Sequence, residues 1–216
     1  MTRSEVRVPH RPPLCGVFLL PKNYRDPAPL YQRTEGWYTF CMHLYFIRHG
    51  ESTYNQQDLM TGRQDAPLTD LGREQARIAG RAMAARGLKI DHIMTSTLMR
   101  AHDTANLIAD EIGFPKEAIQ VNDLVIERSF GSLEGLPKGD PTIMTDEYIK
   151  ERGAELDPEI RLRAQQLLDV LKSVTGNVLV VSHTGFGRRL RAVIDGIPTQ
   201  DSENFKNATL ADLGEL

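Results

Sequence analysis

"LYFIRHGEST", residues 44–53, sets a run of apolar and aromatic side chains directly against Arg48, His49 and Gly50. The first half has the near-continuous apolar character of a strand buried on both faces. The second half is where such a strand leaves the core. A strand ending in a cation, an imidazole and a glycine is either meeting an ordinary polar loop or presenting chemistry at a sheet edge. The segments that follow decide between the two.

From Met42 onward, strand-like and helix-like patterns alternate. After a polar loop, "LTDLGREQARIAGRAMAARG" (68–87) offers Thr69 as an N-cap and helical spacing at Ala76, Ile78, Ala79, Ala82 and Met83. Gly87 closes it. "KIDHIMTS" (89–96) is a second short strand. "STLMRAHDTANLIADEIG" (96–113) is a helix opened by Ser96 or Thr97 and ended by Gly113. "AIQVNDLVIE" (118–127) is a third extended run. "DPEIRLRAQQLLDVLKSVTG" (157–176) begins with Asp157 as cap and Pro158 at the first helical position, then carries Ile160, Leu167, Leu168 and Leu171 on one stripe. "NVLVVSH" (177–183) is the most strand-like segment, and "GFGRRLRAVIDG" (185–196) starts a helix after it. This alternation predicts an α/β fold: a three-layer α/β/α sandwich around a mostly parallel sheet.

The bulk numbers suit one domain with a sizeable core, plus an appendage. The chain has 216 residues, 40% hydrophobic and 25% charged, with a formal charge of −3. That balance gives no reason to expect a nucleic-acid or membrane partner. Cys15 and Cys41 both precede the Arg-His-Gly stretch, which excludes a disulfide scaffold or a Cys-rich zinc site in the body and fits a cytoplasmic protein. Residues 1–41 read differently. "VPHRPPLCGVFLLPKNYRDPAP" holds six of the chain's 12 prolines, lacks useful periodicity and has no small-residue cleavage site after its short apolar run. The expectation is a disordered or loosely attached extension over 1–41 and a single domain over 42–216.

In a parallel sheet of this kind, ligands gather beyond the carboxyl ends of the strands. Arg48 and His49 end the first body strand, and Ser182 and His183 end the last. Arg100 falls in the first turn of the helix after the second strand, and Glu127 follows the third run. Two arginines, two histidines and a carboxylate on one edge suit phosphoryl chemistry. Arginine presents a planar fork of donors that matches phosphate oxygens. A neutral imidazole can attack phosphorus, and nearby cations favour that neutral form. Arg48, Arg100 and a protonated His183 would then stabilise the transferred group, while Glu127 protonates the leaving oxygen and activates water. No HExxH or cysteine pair offers a metal site, so neither metal nor cofactor is expected.

Taken together, "FIRHGEST", "TGRQDAPLTDLGREQA", "TSTLMRAHDTA", "ERSFGSLEG" and "VVSHTG" resemble the histidine phosphatase superfamily, also called the phosphoglycerate mutase-like family, in order and spacing from about Met42 to at least Leu210. The resemblance implies roles position by position. His49 matches the nucleophile that carries the phosphoryl group. Arg48, Arg100 and His183 match the phosphate pocket, and Glu127 the general acid and base. Asn55, Thr61, Gly62 and Thr184 match further phosphate- or substrate-contacting positions.

Between "LEG" and the helix opened at Asp157 stands only "LPKGDPTIMTDEYIKERGAEL" (136–156). Mutases of the family usually carry a longer insertion there, with an arginine pair for the substrate's second acidic group. Lys138, Lys150 and Arg152 could substitute in part. A shorter cover leaves the pocket open to water. The expected activity is therefore hydrolysis of a small phosphorylated metabolite through a phosphohistidine. Mutase-type transfer is the alternative, with a non-catalytic binding protein on the same fold behind it. A homo-oligomer stays open. The ending "NATLADLGEL" stops soon after the last family-like strand, which leaves an edge element in question. Asp91, His92, His102 and Asp103 read as surface or capping residues. Arg188, Arg189 and Arg191 read as a solvated helical face, with Arg188 able to reach an anionic substrate.

A chain beginning at Met42 is expected to fold and turn over like the full-length protein, because nothing before it carries core periodicity. Expression and activity of that truncation check this; an insoluble or inactive product would show that the extension packs on the domain.

Overall fold

The computed structural model describes residues 16–18, 31–34, 37–40, 42–139 and 145–216. Three short strands, β1 (Gly16–Phe18), β2 (Tyr31–Thr34) and β3 (Trp37–Phe40), pair antiparallel in the order β1-β3-β2. The sequence reading expects no strands there. Elements of three or four residues fall below the window over which alternation can be read, so they escaped it. The rest of the expected loose extension lies outside the described residues.

The second sheet has five strands in the order β6-β5-β7-β4-β8. Its members are β4 (Met42–Arg48), β5 (His92–Thr95), β6 (Gln120–Val121), β7 (Gly176–Ser182) and β8 (Leu210–Glu215). All neighbours run parallel except β8, which is antiparallel to β4. The edge element in question at the C-terminus is therefore present. The third extended run is shorter than expected: only Gln120–Val121 pairs, and Asp123–Val125 turns into a 3₁₀ segment held by Asn122, whose side chain accepts from Leu124 N–H.

Side chains alternate across this sheet. Met42, Leu44 and Phe46 of β4 join Val178 and Val180 of β7 on one face, while Ile47, Leu179 and Val181 lie on the other. The first face is covered by α5 (Asp157–Leu171), through Ile160, Ala164, Leu167 and Leu171, and by α6 (Thr184–Asp195), through Phe186 and Leu190. The second is covered by α2 (Asp70–Ala85) and α3 (Met99–Ile112). Two shorter helices, α1 (Thr53–Gln56) and α4 (Asp146–Glu151), lie in the connections. Three layers result, as the alternating pattern predicts. Each fully buried Leu, Ile or Phe contributes about 1.5–3 kcal/mol, so both faces are needed to offset chain entropy.

Helix ends depart from expectation in two places. Helix α3 starts at Met99, with Ser96 Oγ accepting from Leu98 N–H and Asp65 Oδ1 from Met99 N–H. Helix α5 is capped from Glu159, whose carboxylate accepts from Leu156 N–H at 2.7 Å, leaving Asp157 to receive Arg189 and the Thr199 hydroxyl. On α2, Ile78 and Ala82 face solvent, and the buried stripe is Gly72, Ala76, Ala79, Gly80 and Met83. Small residues win because α3 lies close: a Cβ on Gly80 would sit 2.7 Å from Glu111 Cβ.

The same closeness governs the start of α2. Thr69 accepts from Gly72 N–H at 3.0 Å and donates its own N–H to Glu51 O. The turn after β4 is thereby pulled against the helix, and a Cβ on Gly72 would overlap the Glu51 carbonyl oxygen. Gly72→Ala gains about 1 kcal/mol of helix propensity but forces an overlap that costs roughly 1–3 kcal/mol. The net expectation is a loss of up to about 2 kcal/mol, seen as a Tm lower by up to ~8 °C. A Tm at or above the parent's would mean the two backbones have room.

Candidate active site

The connections after β4 and β7 leave to opposite faces, β4 toward α2 and β7 into α6. Neighbouring strands whose connections diverge open a crevice beyond their carboxyl ends. Strands β4 and β7 are in register from Met42↔Gly176 to Arg48↔Ser182, and His49 N–H extends the ladder to Ser182 O at 2.9 Å. His49 and His183 therefore emerge side by side, ring centroids 5.1 Å apart.

His49 is held on every side. Its carbonyl accepts from Asn207 Nδ2 at 2.8 Å, and Gly50 N–H donates to Thr104 Oγ1. A Cβ on Gly50 would overlap the Gly72 carbonyl oxygen, so the glycine of the Arg-His-Gly stretch serves the close approach to α2. On the ring, Nδ1 lies 2.6 Å from Gly50 O, and Nε2 faces Arg100 Nε at 3.2 Å. A carbonyl can only accept and a guanidinium can only donate. Nδ1 therefore carries the proton and Nε2 the lone pair. Burial, then the charges of Arg100 and Arg48, push the His49 pKa well below its usual value. The ring is held neutral, with its Nε2 lone pair free of a proton.

His183 corrects one expectation. Burial, Arg100, His49, Arg48 and Arg163 likewise push its pKa well below the ordinary range, which favours the neutral ring. The geometry shows it need not be protonated. Ser96 Oγ accepts from Leu98 N–H and lies 2.9 Å from His183 Nε2. Its hydroxyl proton can point at Nε2, which leaves Nδ1–H as a donor. That nitrogen and Arg48 Nε are buried without a partner among the described residues. Two buried donors beside His49 are thus left with hydrogen-bonding capacity, the chemistry that an anionic oxygen would take up.

Arg100 is wholly buried, donating to Gln64 O at 2.8 Å and Gly62 O at 2.6 Å. Burial lowers its pKa to about 10, which leaves it a cation at neutral pH. Arg48 donates to Phe205 O. Glu127 lies across the crevice with its carboxylate at the first turn of α6, accepting from Gly185 N–H at 3.1 Å, Phe186 N–H at 3.0 Å and Arg128 N–H at 2.8 Å.

These groups border a cleft of about 520 Å³. Arg48, His49, Asn55, Thr61, Gly62, Arg100, Glu127 and Thr184 line it, whereas His183, wholly buried beside His49, is not among the lining residues. Residues 44–214 match the family model of the histidine phosphatase superfamily, branch 1. The chain belongs to that superfamily. Among curated relatives, a 2,3-bisphosphoglycerate-dependent phosphoglycerate mutase of a Methylobacterium species is 33% identical over 171 residues, covering 73% of this chain and 82% of that one. The enzyme of the same name from Rhizobium rhizogenes is 34% identical over 166 residues, covering 70% and 79%. Among solved structures, a mycobacterial glucosyl-3-phosphoglycerate phosphatase shares the fold with a TM-score of 0.68 at 24% identity, over 79% of this chain and 90% of that one.

Several wall residues of this member of the superfamily escaped the sequence reading. Asn204, Phe205, Lys206 and Asn207 line the cleft from the loop before β8. Asn207 bridges His49 O and Asn55 Oδ1, and no motif announces it. Lys138 does reach the cleft and pairs with Asp58 at 2.5 Å. Lys150 and Arg152 do not; Arg152 stacks on Tyr148 instead. Arg188 donates to Thr199 O and stays out of the cleft, while Arg189 and Arg191 pair with Asp157 and Asp195. Among the described residues no three His, Cys, Asp or Glu side chains converge as a metal site, and no helix is long and apolar enough to cross a membrane.

Two histidines with depressed pKa values make stability depend on pH. Below about pH 6.5 the unfolded chain takes up protons that the folded chain refuses, so stability falls as pH falls. Between pH 7 and 5.5 each should contribute a loss of about 1 kcal/mol, or ~2 kcal/mol together. Urea unfolding at both pH values measures this, and His183→Gln should remove about half of the dependence. An unchanged slope in that variant would show that His183 titrates normally.

Proposed function

We propose that this protein is a phosphomonoester hydrolase that works through a phosphohistidine on His49. The observation carrying the proposal is the ring itself: a neutral imidazole with Nδ1–H fixed on Gly50 O and Nε2 turned toward the cationic Arg100. Nε2 attacks phosphorus while Arg48, Arg100 and His183 Nδ1–H hold the equatorial oxygens. The phosphorus–oxygen ester bond breaks, and the leaving oxygen takes a proton from Glu127. Water then attacks the phosphohistidine, gives its proton to Glu127 and releases phosphate. Asn55, Thr61, Gly62 and Thr184 contact the substrate.

Hydrolysis over transfer is supported by the mouth of the cleft. Of the three basic residues in 136–156, only Lys138 reaches it, among the described residues. Lys138 and Lys206 supply two lysines but no arginine pair stands beyond Arg48 and Arg100 among the described lining residues, and so modest a grip on a second acidic group favours water as acceptor. The mutase reading has one observation in its favour, the names of the curated relatives at 33–34% identity. Free phosphate released from a substrate panel supports hydrolysis; phosphate relocated within a phosphoglycerate supports the mutase.

The two central residues should fail differently on substitution. His49→Ala should abolish both phosphohistidine and turnover. Glu127→Gln should slow an alkyl phosphate by ~10²–10⁴-fold, the usual range for general acid–base help. An aryl phosphate leaves without much protonation, so its first step should suffer far less and labelled enzyme should accumulate. Acid-labile, base-stable label on His49→Ala, or equal losses for both substrates in Glu127→Gln, would overturn the assignment.

A further inference from the structure

Glu155 carries a carboxylate that none of the steps above uses. It is nearly as buried as any charged group outside the cleft, its side chain 13% exposed. Arg163 of α5 grips it as a two-pronged fork, Nε to Oε1 at 3.1 Å and NH2 to Oε2 at 2.9 Å. Arg63 NH2 adds a third bond at 3.1 Å and Ser129 N–H a fourth at 3.3 Å. The remaining donors of those arginines go to one place. Arg163 NH1 donates to Leu124 O and Ile126 O, and Arg63 Nε donates to Glu127 O. The Glu155 backbone completes the clamp, its N–H donating to Ser129 O and its carbonyl accepting from Arg128 Nε.

The segment 124–129, which carries Glu127, has almost no regular structure of its own to hold it. Three of its carbonyls, those of Leu124, Ile126 and Glu127, are held by two arginines that one carboxylate orients, while Val125 O accepts from Ser182 Oγ and Ser129 O from Glu155 N–H. Arg163 also lies over the Phe186 ring at 5.2 Å. Phe186 N–H is one of the three donors to the Glu127 carboxylate. The arrangement therefore controls Glu127 from both ends, backbone and carboxylate. Arg63 further ties the clamp to Gly62, whose carbonyl receives Arg100.

We infer that Glu155, acting through Arg163 and Arg63, is the positioning residue that holds Glu127 within proton-transfer reach of the leaving oxygen. The inference rests on the proposed acid–base role of Glu127. Proton transfer needs a heavy-atom separation of about 2.6–3.2 Å, and a displacement of about 1 Å can cost ~10²-fold in rate. Glu155→Gln keeps the size but turns an amide donor toward two guanidinium donors. The fork opens, and the 124–129 segment loses its anchor.

The test compares glycerol phosphate with p-nitrophenyl phosphate on the full-length parent, Glu155→Gln, Glu127→Gln and the double variant, with Tm recorded for each. Glu155→Gln should lose ~10²-fold on the alkyl ester and far less on the aryl ester. The double variant should be no slower than Glu127→Gln alone, because a proton donor already absent cannot be misplaced. Equal losses on both esters, or a double variant slower by the product of the two effects, would make Glu155 merely structural and overturn the inference. If Glu155→Gln does not fold, Arg63→Met at a 41% exposed side chain decides, with the same leaving-group pattern expected at smaller size and its absence counting against the clamp. If Glu127→Gln itself shows no leaving-group dependence, the acid–base reading fails first, and that outcome is distinct from a failure of Glu155 alone.

Discussion

The parallel pairing of β4 with β7 is the constraint on which the rest of the molecule depends. Seven residues run in register, from Met42↔Gly176 to Arg48↔Ser182, with one more ladder bond at His49. Side chains alternate with a period of two, so a slip by one residue would exchange the two core faces. It would also turn His49 away from the crevice. Hydrophobic burial on both faces thus fixes the position of a polar ring that contributes nothing to burial itself. The specificity of the site is inherited from the core.

Charge follows from that placement. Burying Arg48 and Arg100 beside two imidazoles costs desolvation energy. The protein meets that cost with oriented carbonyls, those of Gly62, Gln64 and Phe205, and with Glu127 across the cleft. The histidines contribute by staying neutral, their pKa values depressed. A pocket built this way is rich in positive charge and keeps unpaired donors among the described residues. On the proposed function, a phosphoryl group would balance that charge and accept those bonds.

Much of this was legible in the sequence, for identifiable reasons. Strands buried on both faces are written as unbroken apolar runs, so β4 and β7 stood out. Arg48, His49, Arg100, Glu127 and His183 sit at strand ends or in the turn after one, where the crossover rule gives their location without coordinates. What stayed hidden depends on contacts between distant segments. The loop of Asn204–Asn207 carries no local pattern, and its place is set only when β8 pairs with β4. The exposure of Ile78 could not be read from α2 alone, because it follows from small residues letting α3 approach. The neutrality of His183 needed its burial, the Ser96 hydroxyl and three arginines from other segments. Its own segment, "VVSHTG", says nothing of them.

Strand β8 has a consequence for the order in which the chain becomes competent. Asn207 clasps the His49 carbonyl across 158 positions of sequence, and the loop it belongs to closes one side of the cleft. During synthesis from the N-terminus, His49 leaves the ribosome long before its clasp is made. A nascent chain can pack α2 on α3, yet β4 and β5 stay apart until β7 comes between them, and one wall of the pocket is missing until β8 takes its edge. Completion of the pocket is thereby tied to the antiparallel pairing of β8 with β4, and unfinished chains carry the histidine without it.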